Sequence, residues 1–208
     1  NDFHQAAGRN LRRRFFITGK EKKMTSIVAL CNRALSKIGD EPVLSSLNDD
    51  TKAARYCKAL YADTRDFVLR SYPWRFALKR YALAPLKDKP LYGYEYRFGL
   101  PADCLRVWRT EDEEPYQVEG QNVLYNAPIL RFVGIARVED TAFFDPMFVE
   151  ALALKLAAEL AVPLTASVAL KETLNKEYQA FVQQAKTASA MEGAQDGYTQ
   201  RGWLEARI

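Results

Sequence analysis

Histidine occurs once in this 208-residue sequence, at His4. A serine or cysteine nucleophile is most often activated by a histidine poised near neutral pH, so those mechanisms have no base in the body of the chain. Histidine-containing metal sites lack their ligand for the same reason. Cysteine is scarce too: Cys31, Cys57 and Cys104 are odd in number and widely spaced, with no Cys-x-x-Cys pair. That argues against a disulfide framework or a zinc cluster and for reduced thiols. No apolar run reaches the roughly 18–20 residues of a membrane span, because Glu150, Lys155 and Glu159 interrupt the longest stretch. Gly120 and Gly134 stand alone, so there is no glycine-rich phosphate loop. No cofactor is expected, and we read the chain as a non-enzyme.

Positive charge is present but confined. The formal net charge is +4. Residues 1–23 carry seven basic side chains (Arg9, Arg12, Arg13, Arg14, Lys20, Lys22, Lys23) against Asp2 and Glu21, leaving 23 basic and 24 acidic residues over the rest. The body is therefore close to neutral. The leader begins with Asn1, its Phe15-Phe16-Ile17 cluster is too short for a signal peptide, and the first methionine is Met24. We expect residues 1–23 to be a non-native or disordered leader, translated from upstream sequence, with the natural start at Met24; the alternative is a flexible basic arm.

The remainder divides by periodicity. Ile27, Leu30, Ala34, Leu35 and Ile38 recur at helical spacing over 25–38, with Thr25 or Ser26 as cap and Gly39 as stop. A second helix is expected from a cap at Asp49 or Asp50 to Ser71, its buried face drawn by Ala53, Tyr56, Cys57, Leu60, Thr64, Phe67 and Val68. Residues 74–138 change texture. Tyr92–Phe98, Leu105–Arg109, Val118–Tyr125 (two strands about a glycine turn) and Ile129–Ile135 read as short antiparallel strands. Helices return from Asp145-Pro146 to Ala161, and after the link Val162-Pro163-Leu164 over 166–190, where Leu170, Leu174, Tyr178, Phe181 and Ala185 form a stripe. The expected fold class is α+β, with N- and C-terminal helix pairs forming a four-helix bundle around an inserted antiparallel β domain. The expected boundaries are 24–192 for the domain (helices 25–71 and 145–190, β insertion 74–138) and 193–208 for a C-terminal arm.

Two features exceed an ordinary core. The helix 147–161 is apolar around most of its circumference, so it is either central in its own fold or packs one side, at Phe148, Leu152 and Leu156, on a neighbouring subunit. The arm carries Tyr198, Trp203 and Leu204, residue types that anchor interfaces. The acidic run Glu111-Asp112-Glu113-Glu114 reads as a solvated turn, since four consecutive acids splay rather than converge on a cation. The first two helices are too far apart for a helix-turn-helix, and Asp63 and Asp66 break up Arg55, Lys58 and Arg65.

The ordered motifs Cys31-Asn32-Arg33-Ala34-Leu35-Ser36-Lys37-Ile38-Gly39, Glu41-Pro42-Val43 with Leu44-Ser45-Ser46-Leu47, Tyr72-Pro73-Trp74-Arg75-Phe76-Ala77, Leu100-Pro101-Ala102-Asp103-Cys104-Leu105-Arg106, and Phe144-Asp145-Pro146-Met147-Phe148 through Leu160-Ala161-Val162-Pro163-Leu164-Thr165 resemble the tail tubular protein A family of podoviruses, the portal-tail adaptor or gatekeeper family. The likeness spans about 25–192 and touches Trp203-Leu204-Glu205-Ala206-Arg207; residues 1–23 match nothing in it. It implies a virion protein made in the host cytoplasm, a ring of about twelve copies joining the portal protein to the tail nozzle protein. Double-stranded DNA would pass through without sequence-specific binding, no membrane would be involved, and Tyr198, Trp203 and Leu204 would help grip the portal. The rivals are another head-completion or tail-terminator connector, a cytoplasmic DNA-binding protein, and a cell-wall-degrading virion enzyme.

Overall fold

The computed structural model describes residues 26–39 and 44–193. It is α+β, with four helices and two small three-stranded antiparallel sheets. The first helix, α1 (Ile27–Lys37), starts where Ser26 Oγ accepts from Ala29 N at 3.1 Å and ends at Gly39, whose φ of +75° suits a residue without Cβ. Helix α2 (Lys52–Ser71) is capped by Thr51, not by Asp49 or Asp50 as expected. Asp49 is already engaged one turn earlier, accepting from Ser45 N and Ser46 N at 2.8 and 3.0 Å.

Helix α3 (Pro146–Thr165) opens on Asp145 as cap with Pro146 in its first turn, as the sequence predicts. It does not stop at Ala161. Pro163 lies inside its last turn, where a missing N–H costs a single helical bond, and the reversal falls at Ala166, which takes a left-handed φ of +56°. Helix α4 (Val168–Gly193) then returns antiparallel: Lys171 meets Glu159 at 3.2 Å and Asn175 meets Lys155 at 3.2 Å. Helix α3 is the common partner of α1, α2 and α4. Its faces supply most of one apolar core, in which Phe148, Ala151, Leu152, Leu156, Ala157 and Leu160 are wholly buried.

The buried arc of α2 is turned from the expected one. Cys57, Thr64 and Val68 are inside as predicted, with Tyr61 and Leu69, but Tyr56 and Phe67 are exposed. Phe67 sits on the shoulder of the arc, its ring covered by Lys155 Nζ at 5.1 Å and flanked by Tyr178 at 6.5 Å.

Between the helix pairs the chain forms β1 (Leu78–Leu83), β2 (Tyr96–Gly99), β3 (Cys104–Thr110), β4 (Gln117–Glu119), β5 (Asn122–Tyr125) and β6 (Leu130–Ala136). The sheets are ordered β1-β6-β3 and β2-β5-β4, all neighbours antiparallel. A second core, Phe98, Val107, Val123, Tyr125, Leu130 and Phe132, draws on both sheets. Gly134 in the central strand β6 makes room for it: a Cβ there would lie 2.9 Å from Phe132 and 3.0 Å from Tyr81, whose rings stack at 4.9 Å. Ile135, on the opposite face of β6, belongs to the helical core, so the first sheet bridges the two cores. A charged cluster ties the join: Arg137 Nε donates to Asp66 at 2.7 Å, and the nearly buried Arg65 reaches Asp66 at 2.8 Å and Glu139 at 3.4 Å.

Candidate interaction surfaces

The expected interface stripe on the third helix is corrected by the structure. Phe148, Leu152 and Leu156 are all 0% exposed, covered by the chain's own α1, α2 and α4 and by aromatic rings at the join, so none presents a surface to another subunit. Trp74 and Phe144 pack edge-on against Phe148 at 5.3 and 4.7 Å. The three charges of the helix are also taken internally. Glu150 pairs with Arg33 and Lys37 of α1, and Lys155 and Glu159 bond one another at 2.6 Å while engaging α4. A helix greasy all round needs neighbours all round; here the same chain supplies them. Tyr198, Trp203 and Leu204 lie outside the described residues, as do residues 1–23.

The most exposed large apolar side chains lie elsewhere. Leu91 and Tyr92 are 95% and 86% exposed at the tip of the β1–β2 loop. That loop is anchored at both bases, by Leu86 N donating to Arg97 O at 2.7 Å and Glu95 N donating to Asn126 Oδ1 at 3.1 Å. Phe143, 64% exposed, edges a groove of about 490 Å³ floored by Phe76, Leu78 and Val138, where the helices meet the first sheet.

A third surface is basic. Arg80 on β1 and Arg109 on β3 both register with Val133 of β6, and Arg131 lies two residues along β6 on the same face. Together they line a depression of about 440 Å³ with Glu111 and Glu113 at its edge. Arg131 pairs with Glu111 at 3.4 Å; Arg80 and Arg109 have no ion pair among the described residues. The sequence conceals this grouping, because only strand register brings the three together. Arg106 adds a cation over the half-exposed Trp108 ring at 5.4 Å.

No protein-family model matches the chain, and no curated protein matches it. The surfaces therefore stand on their own geometry.

Their titration chemistry is that of structural groups. The hydrogen bond with Cys57 and then burial raise the Cys31 thiol far above its usual range, and burial likewise raises Cys104, so neither is held as a reactive thiolate. The acidic run serves its own turn. Tyr125 donates to Asp112 and holds that carboxyl below its usual range, while burial first and Asp112 second push the Tyr125 phenol up to about 12. Among the described residues no cluster of three or more His, Cys, Asp or Glu could hold a metal ion. No helix among them is long and apolar enough to cross a membrane.

Proposed function

We propose that this chain is a structural virion protein of a short-tailed phage, a ring-forming adaptor between portal and tail nozzle that lengthens the DNA channel. The observation that carries the reading is how the segments resembling the adaptor family meet in space. Asn32, in the first of them, holds both backbone groups of Leu44, in the second, at 2.8 and 2.9 Å. Trp74 and Phe76, in the third, close on Phe144 and Phe148, in the last, with ring centroids 5.1–5.8 Å apart across the two segments. Asp103, in the fourth, ties that segment to the strands beside it and not to another segment, accepting Arg137 N at its carbonyl and Lys79 at its carboxylate, both at 2.7 Å. Segments scattered through the sequence thus make the joints of one architecture. Helices from both chain ends gathered around α3 are read here as the four-helix bundle of such an adaptor, with the β unit as its insertion.

Cosedimentation of the full chain with purified cognate portal, scored together with native mass spectrometry, tests this. Binding in a fixed ring stoichiometry is expected; a subunit that ignores the portal would reject it. A DNA-binding role is the second reading, favoured by Arg80, Arg109 and Arg131 on one sheet face. Submicromolar duplex binding at physiological salt would favour it over the adaptor.

A further inference from the structure

A cleft lies where edge strands of the two sheets come together. Strand β3 is an outer strand of the first sheet and β4 of the second, so each pairs on one side only, with β6 and with β5. Cys104, Leu105 and Val107 of β3 and Val118 of β4 line a cavity of about 570 Å³, closed off by Tyr116 and by the end of α2 at Arg70. A strand edge presents backbone groups that a further extended segment can join. Val118 is 48% exposed there, on a strand too short to cover it.

The charge of the cleft has one sign. Arg70, Arg106 and Arg137 line it, and no acidic side chain does among the described residues. Asp66 neutralises Arg137 at 2.7 Å. The exposed Arg70 and Arg106 rest on uncharged partners: Arg70 Nη1 donates to Leu105 O, Arg106 Nη1 donates to Arg70 O at 3.4 Å, and the Arg106 guanidinium lies 5.4 Å from the centre of the Trp108 ring. A guanidinium has five N–H donors. Both arginines are therefore held in place with most of their donors still to spend, and a carboxylate is the group that uses such donors best.

We infer that this cleft takes an extended acidic segment of a partner protein, its carboxylate on Arg70 and Arg106 and its apolar neighbour against Val118. The surplus positive charge fixes the sign of the ligand, and the two sheet edges favour an extended chain over a compact anion. Two uncompensated cations are too few to follow a nucleic-acid backbone, where affinity grows with the number of phosphates neutralised. The inference is separate from the adaptor reading and stands or falls on this one cleft.

The test is a nuclear magnetic resonance titration of the isotope-labelled full chain with the peptide acetyl-Val-Asp-Val-Glu-Val-amide, using acetyl-Val-Lys-Val-Lys-Val-amide as control. The acidic peptide is expected to bind with a Kd below about 1 mM, to shift the amides of Val107, Val118 and Gly120, and to weaken as salt is raised. Arg70→Gln/Arg106→Gln should weaken it at least ~10-fold. Because those arginines also tie α2 to β3, the exposed Val118 supplies a second handle: Val118→Asp should weaken the acidic peptide about 3-fold, and Val118→Lys should not. Equal binding of the lysine peptide, amide shifts outside the cleft, indifference to both sets of variants, or no binding at about 5 mM peptide overturns the inference. Displacement of the peptide by an equal concentration of orthophosphate, or by duplex DNA, also overturns it, in favour of a phosphate ligand.

Discussion

The helical layer and the β unit solve burial in opposite ways. In the helical layer one element, α3, is surrounded by three others, and even its charged residues find partners within the chain. In the β unit two small sheets share a thin core, and their outer faces and loops carry the surplus: Leu91, Tyr92, three arginines on one face, and Phe143 at the border. The difference teaches that apolar composition is a poor guide to interfaces. The greasiest segment of this protein is spent on its own fold, and the most exposed large apolar side chains, Leu91 and Tyr92, lie in the region of weaker patterning.

The contrast can be broken most forcefully at its centre. Leu152→Ala empties a site with 0% exposure and should destabilise the protein by about 2–5 kcal/mol in denaturant unfolding. A loss under about 1 kcal/mol would mean that α3 is not the hub. In the β unit the comparable lesion adds atoms. Gly134→Ala forces a Cβ against the stacked Tyr81 and Phe132, at an expected cost of about 1–3 kcal/mol, and near-ultraviolet dichroism should register the disturbed tyrosine.

A smaller effect sharpens the account of the helix charges. Burial pushes the Glu159 carboxyl up, but hydrogen bonds from Lys155 and Lys171 outweigh it and hold the pKa below its ordinary value. A lowered folded-state pKa gives stability that is present above the unfolded pKa, about 4.3, and is lost as pH falls through the folded value. Glu159→Gln should therefore cost up to about 1 kcal/mol at pH 7. The gap from wild type should close below about pH 4, as measured by urea midpoints across pH. Least of all, Leu91→Asp/Tyr92→Asp should leave the unfolding free energy within about 0.5 kcal/mol of wild type, because side chains so exposed bury almost nothing on folding.

Much of the architecture is legible in the sequence where a local rule has one reading. Asp145-Pro146 announces the start of α3, Gly39 the end of α1, and Gly120, at φ +60°, the turn between β4 and β5. Legibility fails where two local rules compete. Thr51 won the cap of α2 because Asp49 was drawn into the turn before it. Pro163 looks like a break, yet it is accommodated in the last helical turn. Strand β1 escapes notice because Leu78-Lys79-Arg80-Tyr81-Ala82-Leu83 is mostly exposed and lacks a clear apolar alternation. The interface assignment failed for a deeper reason. Periodicity reports how much of a helix is covered and is silent on whose atoms cover it, so Phe148, Leu152 and Leu156 gave the same signal for an internal hub as for a subunit contact. The exposure of Leu91 and Tyr92 is not legible because they sit in a loop with no period.

The bond from Lys37 to Glu150 spans 113 residues, and that span governs when the protein can assemble. As the chain leaves the ribosome, α1 and α2 emerge long before the helix that covers them, while every strand of the β unit has already been made. The sheets can close early, but the first two helices must wait with their apolar faces bare until α3 arrives. Such long-range pairing slows folding, and the waiting faces are where a holding chaperone would act during synthesis.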